Sequence, residues 1–207
     1  MEIRMRLGFF GGSFDPPHRG HLAVARAAAD RFRLERVLLA PTARQPLKPG
    51  GPVASFEDRL EMVRLLCQGS AGFGLEASAV DAPAADGQPN YTIDTLQRLQ
   101  GVFGAGETIF VIVGIDAFLD LRRWRSPEEL LASAEWIVVT RPGFSHERLA
   151  ELKLSEEQRA RVHLLGGVAE EVSATQIREA LREGLDCEGL LPAAVLDYIR
   201  DRHLYRT

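Results

Sequence analysis

Apolar runs alternate with amphipathic stretches from the start of the chain. Arg4–Phe10 ends in an apolar run and predicts a first strand, while the alanine-rich segment Gly20–Phe32 predicts a helix. Arg36–Ala40 is short and apolar, which is typical of a second, buried strand. Pro41–Val53 is rich in proline and glycine, so we predict a long loop, of the kind that is usually functional or mobile.

The alternation continues over the rest of the sequence. Ser55 is a favourable N-cap for a helix to about Cys67, and Ser126, followed by proline and two acids, predicts a second capped helix. Because strands that alternate with helices form parallel sheets, we predict an α/β fold with a doubly wound, Rossmann-like sheet flanked by helices. Further strands are predicted at Phe73–Val80, Thr108–Val113, Trp136–Thr140 and Arg161–Leu165, and further helices at Tyr91–Val102, Asp116–Arg122, Ser173–Glu183 and Pro192–His203.

The composition is that of a globular protein. With 207 residues, 45% hydrophobic and 26% charged, we expect a single domain over 1–207, with a small helical part at about 170–207. The net charge of −4 provides no basic surface for nucleic acid, and no apolar run approaches membrane-spanning length. Cys67 and Cys187 lack a C-x-x-C spacing and no signal peptide precedes the first strand, so we expect reduced thiols in a cytoplasmic protein.

The segment Gly8–His21 carries the most specific pattern in the chain. It reads Gly-Phe-Phe-Gly-Gly-Ser-Phe-Asp-Pro-Pro-His-Arg-Gly-His and joins the first strand to the first helix. A strand, a glycine loop and a helix start direct backbone N–H groups and the positive helix end at a phosphate. His18 and His21 lie where the loop meets the helix, so both imidazoles can face one anion.

Two other interpretations of this loop stay open at the level of local pattern. One is an ordinary glycine turn with two solvated histidines, and the other is a His-x-x-His metal site. The metal hypothesis lacks a third ligand, because His146, His163 and His203 are scattered without metal-type spacing. The glycine spacing also differs from the G-x-G-x-x-G dinucleotide fingerprint.

The string Gly-Gly-Ser-Phe-Asp-Pro-Pro-His-x-Gly-His resembles the signature of the nucleotidyltransferases with a His-x-Gly-His motif, and most resembles the bacterial nicotinate-mononucleotide adenylyltransferases. The pantetheine-phosphate branch usually lacks the first histidine, which His18 supplies here. The resemblance implies that His18 and His21 are catalytic. It also implies that the loop residues Gly11, Gly12, Ser13, Phe14 and Gly20 bind ATP.

A second motif lies near the other end of the chain. The segment 173–178 reads Ser-Ala-Thr-Gln-Ile-Arg. On its own, this pattern is typical of a capped helix with a solvated arginine. It is similar to the family's second signature, Ser-x-Thr-x-Ile-Arg, which binds the triphosphate. The two motifs occur in the family's order, which implies that Ser173 and Thr175 bind ATP and that Arg178 is catalytic.

Two further segments are similar to family motifs around the pyridine nucleotide. Asn-Tyr-Thr-Ile-Asp-Thr-Leu at 90–96 resembles Ser-Tyr-Thr-x-Asp-Thr-Leu, which implies that Thr92 contacts the nicotinate carboxylate. Gly114 and Asp116 match the family's Gly-x-Asp after the fourth strand, which implies that they face the nucleotide. Trp124 is implied to stack on the pyridine ring, although a lone tryptophan equally fits a core position.

Lys48 in the proline-rich loop and Arg141 after the fifth strand are further cations that can reach a phosphate, and each also fits a solvated surface position. The loop departs from the family pattern, with Gln-Pro-Leu-Lys at 45–48 in place of Pro-Pro-His-Lys. Asn90 replaces the usual serine, and 81–88 contains no match to the family's Glu and Arg pair. These departures concern loop contacts and substrate affinity, not the phosphate site.

The resemblance implies adenylyl transfer from ATP to nicotinate mononucleotide, giving deamido-NAD and pyrophosphate in NAD biosynthesis. Mg²⁺ is expected to accompany ATP, held by phosphate oxygens and water and by no protein metal site. Two alternatives remain, namely the same chemistry on nicotinamide mononucleotide and a nucleotide-binding regulatory module without turnover. We expect small-molecule partners only, and the sequence indicates no oligomeric state.

Overall fold

The computed structural model describes residues 5–47, 50–70, 72–104, 106–140, 147–168 and 172–206. Within them the strands are β1 (Arg6–Gly12), β2 (Arg36–Pro41), β3 (Leu75–Ala77), β4 (Thr108–Gly114), β5 (Glu135–Val139) and β6 (Val162–Leu165). The helices are α1 (Arg19–Phe32), α2 (Phe56–Gln68), α3 (Thr92–Phe103), α4 (Ile115–Leu119), α5 (Pro127–Ser133), α6 (Glu147–Ala150), α7 (Glu156–Ala160), α8 (Ala174–Arg182) and α9 (Ala193–Asp201), and Leu121–Arg123 forms a 3-10 turn.

The strands form one parallel sheet in the order β3-β2-β1-β4-β5-β6. β1 lies at its centre, with Gly8 opposite Val37 of β2 on one side and Phe110 of β4 on the other. From β1 the chain builds outward first through β2 and β3, then on the other side through β4, β5 and β6. The carboxyl ends of β1 and β4 therefore border a topological switch point, where α/β sheets bind ligands. The predicted doubly wound α/β fold is confirmed.

Helices cover both faces of the sheet because the central strands are apolar on both sides. In β4, Phe110 and Ile112 belong to one buried cluster, while Val111 and its alternate neighbours belong to the other. Successive side chains of a strand point to opposite faces, so a continuous apolar run can fill two cores. The first core contains residues of α1, α2, α8 and α9, and the second contains residues of α3, α4 and α5.

Two strand predictions had the wrong bounds. β1 extends beyond Phe10 through Gly11 and Gly12, because these glycines pair with Ala40 and Pro41 of β2. The strand predicted at Phe73–Val80 contains only β3, which lies at the sheet edge and pairs with β2 alone. The alternation of polar and apolar residues in the sequence thus extends beyond the residues of β3 that pair with β2.

The helix predictions were wrong in three places. The helix predicted at Asp116–Arg122 is divided into α4 and the 3-10 turn. Ser126 precedes α5 as predicted, but its backbone is left-handed (φ 51°, ψ 56°) and its side chain makes no cap hydrogen bond. The short helices α6 and α7 were not predicted, although Ser155 and Gln158 form a capping box at α7 that the sequence pattern contains.

α9 packs on α2 through a polar cluster. The Asp58 carboxylate accepts hydrogen bonds from the Tyr198 hydroxyl at 2.9 Å and from Nη2 of Arg202 at 3.2 Å. Cys67 and Cys187 are both free and buried, and burial raises the pKa of Cys67 to about 12. These thiols are therefore unreactive, as expected. Among the described residues, no helix combines the length and apolarity that crossing a membrane requires.

Candidate active site

A cavity of about 510 Å³ opens at the carboxyl ends of β1 and β4, at the switch point of the sheet. Its volume falls in the range of small-molecule sites. Thr42 and the segment 45–47 border it from the proline-rich loop. Of the residues singled out in the sequence, those lining the cavity are Gly11, Gly12, Thr92, Gly114, Asp116 and Trp124.

Gly11 and Gly12 leave the backbone at the end of β1 without side chains beside this cavity. A Cβ atom at Gly11 would lie 2.9 Å from the Phe9 ring, closer than real Cβ contacts allow. At Gly12 it would lie 3.2 Å from the ring of Phe14, which is itself buried and left-handed (φ 47°). Glycine at these positions lets the backbone approach a ligand closely.

The rings of His18 and His21 pack against each other, tilted by 37°, where the loop meets α1. Their ring centroids are 3.8 Å apart, and the backbone N–H of His18 donates to Nδ1 of His21 at 3.2 Å. An accepting Nδ1 carries no proton, so the ring proton of neutral His21 lies on Nε2. The His21 ring lies 6.0 Å from the ring of Phe10, and Phe10 lines the cavity. The two imidazoles thus lie next to a residue that lines the cavity, but the lining itself, as far as the chain is described, includes neither histidine and none of Ser173, Thr175 and Arg178.

His18 is buried, with 6% of its surface exposed, and burial lowers its pKa to about 4. The imidazole is therefore neutral near pH ~7. Its side chain faces the backbone N–H of His21 in a reciprocal capping arrangement, although Nδ1 makes no hydrogen bond of full geometry there. The first turn of α1 also contains no acidic residue, which keeps its positive end available to an anion.

The second motif meets this loop through Arg178. Ser173 caps α8 by accepting the backbone N–H of Gln176 at 3.2 Å. One turn further, Nη1 of Arg178 donates to the carbonyl oxygen of Asp15 at 2.7 Å, and Nη2 donates to the Thr175 hydroxyl at 3.2 Å. The two sequence motifs, separated by most of the chain, thus lie side by side in the fold.

The opposite side of the cavity carries aromatic rings together with charged groups of both signs. Trp124 is only partly buried and packs edge-to-face on the fully buried Trp136, with centroids 6.2 Å apart. Trp136 is thus the core tryptophan, and Trp124 presents surface to the cavity. Thr92 begins α3 beside it. Its implied contact with a carboxylate stays a prediction.

The sequence analysis did not identify two arginines that line this site, or the structural role of Asn90. Arg123 and Arg125 line the cavity, and the Arg125 guanidinium lies 4.8 Å from the centre of the Tyr91 ring. An arginine outside a motif resembles any solvated arginine, so no sequence signal identified them. Asn90, the departure from the family's serine, accepts the backbone N–H of Arg44 at 3.0 Å and donates to the carbonyl of Ala82 at 3.1 Å. It joins the two loops that border the cavity.

Lys48, Arg141 and His146 lie outside the described residues, so the predictions on them are not tested. Among the residues that are described, no three His, Cys, Asp or Glu side chains are grouped so that they could hold a metal ion.

Comparison with known proteins places the chain in a family. Residues 9–180 match the Cytidylyltransferase-like family. A probable nicotinate-nucleotide adenylyltransferase of Solibacter usitatus is 38% identical over 97% of this chain and 100% of that protein. A protein of the same description from Gloeobacter violaceus is 43% identical over 97% of this chain and 96% of its own length.

Solved structures are similar in fold. Plasmodium falciparum nicotinic acid mononucleotide adenylyltransferase complexed with NaAD has a TM-score of 0.75 at 17% identity, over 98% of each chain. A structure of a Vibrio parahaemolyticus protein described as a nicotinate-nucleotide adenylyltransferase has a TM-score of 0.69 at 20% identity, over 98% of this chain and 96% of that one. The chain therefore belongs to the Cytidylyltransferase-like family and, within it, to the nicotinate-nucleotide adenylyltransferases.

Proposed function

We propose that this protein transfers the adenylyl group of ATP to nicotinate mononucleotide, producing deamido-NAD and pyrophosphate in NAD biosynthesis. The observation that carries the proposal is one cavity at the switch point, bordered by the glycines of a phosphate-type loop and by a wall with aromatic and charged side chains. The names of the relatives and the occurrence of both phosphate motifs in one site support it.

In the proposed reaction an oxygen of the mononucleotide 5′-phosphate attacks the α-phosphorus of ATP in line. The new P–O bond forms as the bond from the α-phosphorus to the bridging oxygen breaks, and pyrophosphate leaves with the electron pair. The attacking phosphate is already an anion, so no protein side chain has to become a nucleophile. The protein's tasks are to hold two anions that repel each other and to stabilise the charge that develops.

The phosphate loop supplies neutral donors for the α-phosphate. Nε2–H of His21 and the backbone N–H groups at the start of α1 are suited to donate to its oxygens. His18 contributes an uncharged imidazole. The remaining loop contacts proposed for ATP are Gly11, Gly12, Ser13, Phe14 and Gly20.

The β- and γ-phosphates are assigned to α8. Arg178 offers a fixed guanidinium, and Thr175 and the capped N-terminus at Ser173 offer further donors. Gly114 and Asp116 are proposed to face the nucleotide from the end of β4. Lys48 and Arg141 remain proposed phosphate contacts on sequence grounds.

We propose that Mg²⁺ arrives bound to ATP as part of the substrate. Mg²⁺ keeps several waters and is commonly held by substrate phosphates with few protein ligands. The donor set of the described residues, which offers no cluster of three metal ligands, fits an ion held in that way. Two buried thiols are in keeping with a reducing, cytoplasmic compartment, which we retain as a proposal.

The wall of the cavity is proposed to hold the pyridine nucleotide, with Thr92 at the carboxylate and Trp124 under the ring. The acid and the amide substrates differ by one negative charge. The guanidinium of Arg125 lines this wall and is the proposed partner of the carboxylate, although it is also paired with Asp94 at 3.4 Å.

Pyrophosphate release tests the proposal. The purified protein is mixed with MgATP and either nicotinate or nicotinamide mononucleotide, and both pyrophosphate and the dinucleotide are measured. We expect equimolar pyrophosphate and deamido-NAD with the nicotinate substrate, at the higher kcat/KM. A preference for the amide would identify the alternative acceptor, and nucleotide binding without pyrophosphate would identify a regulatory module.

A further inference from the structure

Asp15 lies in the phosphate loop and connects it to distant parts of the chain. Its carboxylate is buried, with 3% of the residue exposed. Oδ2 accepts the backbone N–H of Val53 at 2.7 Å, and Oδ1 accepts that of Ala54 at 3.1 Å. Val53 and Ala54, which donate these bonds, lie at the C-terminal end of the proline-rich loop. Asp15 thus anchors that loop to the residues that precede His18.

The segment after α9 supplies another donor to the same carboxylate. The hydroxyl of Tyr205 donates to Oδ1 of Asp15 at 2.8 Å, and the tyrosine itself is 5% exposed. Burial, together with the negative charge of Asp15, raises the pKa of Tyr205 above its usual range. The phenol therefore stays protonated and remains a donor at any working pH.

Asp15 also contacts Arg178 through its backbone. Nη1 of Arg178 donates to the Asp15 carbonyl oxygen at 2.7 Å and lies 3.9 Å from the carboxylate oxygen Oδ2. The Asp15 side chain therefore binds the Tyr205 hydroxyl, while the Asp15 backbone carbonyl binds the Arg178 guanidinium. Without the Tyr205 hydroxyl, the carboxylate keeps the hydrogen bonds from Val53 and Ala54 but loses the one from the segment after α9, so the position of Asp15 is less restricted.

We propose that Tyr205 is a positioning residue for adenylyl transfer. Its hydroxyl fixes Asp15, and Asp15 in turn fixes the guanidinium of Arg178 and the loop that leads to His18. This inference rests on the proposed role of Arg178 at the triphosphate. Tyr205 belongs to neither sequence motif, and it acts on ATP through Asp15 without touching the substrate.

The chain offers a matched control in Tyr198. Its hydroxyl donates to Asp58 at 2.9 Å, so it forms the same tyrosine–carboxylate bond from the neighbouring α9. Asp58 lies on α2 and is also bound by Ser55 and Arg202. Replacing either tyrosine by phenylalanine removes one hydroxyl and keeps the ring. Only Tyr205 is connected to the phosphate loop.

The experiment compares steady-state kinetics of Tyr205→Phe, Tyr198→Phe and the parent, with each substrate varied in turn. We expect Tyr205→Phe to raise KM for ATP and to lower kcat/KM for ATP by about 5- to 20-fold. KM for nicotinate mononucleotide should stay within about twofold of the parent, and Tyr198→Phe should leave every constant within about twofold. Urea unfolding of each variant confirms that the assays report on folded protein.

The inference is overturned if Tyr205→Phe resembles Tyr198→Phe, or if both substrates are affected equally. Arg178→Ala separates this outcome from failure of the proposed function. If Arg178→Ala loses ATP affinity while Tyr205→Phe does not, the inference alone fails. If Arg178→Ala behaves as the parent, the proposed site fails. In the Arg178→Ala background, Tyr205→Phe should have a smaller effect than in the parent, because the route through Arg178 is already lost and only the route through the loop remains.

Discussion

Arg178 donates a hydrogen bond of 2.7 Å to the carbonyl oxygen of Asp15, across 163 positions of sequence. This bond joins the helix that carries the second motif to the loop that carries the two histidines. It gives the guanidinium a fixed direction before any ligand binds. A preorganised cation of this kind stabilises an anion without reorganisation during the reaction.

Arg178→Ala should therefore weaken ATP binding specifically. Loss of a charge-assisted contact predicts an increase in KM for ATP on the order of 10- to 100-fold, with a smaller effect on nicotinate mononucleotide. Initial-rate measurements with each substrate varied check this. Arg182→Ala, an exposed arginine on the same helix, is the control and should be neutral. A change below about threefold for Arg178→Ala would exclude the assigned role.

His21→Ala should lose turnover while the protein stays folded. Removing one preorganised donor to a developing anion lowers kcat by on the order of 10²–10³. The lost cap hydrogen bond to the His18 backbone costs only about 1 kcal/mol of stability. Single-turnover rates and urea unfolding together measure the two effects. His163→Gln removes an imidazole from β6, and its kcat should match that of the parent. Retention of kcat within about tenfold by His21→Ala would contradict the role.

The buried imidazole of His18 makes stability depend on pH. Its pKa is lowered from 6.5 to about 4 in the folded protein, so only the unfolded chain binds a proton between these values. The contribution of neutral His18 is present above pH 6.5 and is lost as the pH falls toward 4. By pH ~5 the loss amounts to about 2 kcal/mol.

Urea unfolding of the parent and of His18→Asn at pH ~7.5 and pH ~5 measures this term. The asparagine does not titrate. Lowering the pH should therefore reduce the free energy of unfolding of the parent by about 2 kcal/mol more than that of His18→Asn. Identical pH slopes would show that His18 is not held neutral.

Arg125→Gln should reduce discrimination between the acid and the amide substrate. The guanidinium is paired with Asp94 at 3.4 Å and is half exposed, with 56% of its side chain accessible, so its field is partly compensated and screened and the expected effect is modest. We expect the ratio of kcat/KM for nicotinate over nicotinamide mononucleotide to fall about 3- to 10-fold, and less at high salt. Arg64→Gln, with the same exposure on α2, controls for net charge. An unchanged ratio would remove Arg125 from the recognition of the carboxylate.

Sequence pattern was sufficient for the parallel sheet and for singling out the two motif segments, whose contacts with phosphate stay a prediction. A parallel strand buried on both faces, such as β4, has a continuous apolar run, and this local property is visible without coordinates. The loop with His18 and His21 was equally visible, because its glycines, prolines and histidines lie within one short string. The predicted bounds of the edge strand β3 were less accurate, because the length of this strand depends on its pairing with β2 and not on its own residues.

The contacts that tie the site together were not visible. Tyr205 and Asp15 lie 190 positions apart, and neither residue's local pattern indicates the other. Arg125 and Asn90 owe their positions to loops whose conformations depend on tertiary packing. Long-range hydrogen bonds between loops have no periodicity, so they require coordinates.

A crystal structure with a non-hydrolysable ATP analogue and Mg²⁺ shows directly whether the two motifs bind one triphosphate. His18, His21 and Arg178 should each place a nitrogen within about 3.2 Å of oxygens of the same triphosphate. The adenosine should lie at the carboxyl ends of β1 and β4. A triphosphate bound elsewhere, or one contacted by the histidines without Arg178, would show that the two motifs do not form one ATP site.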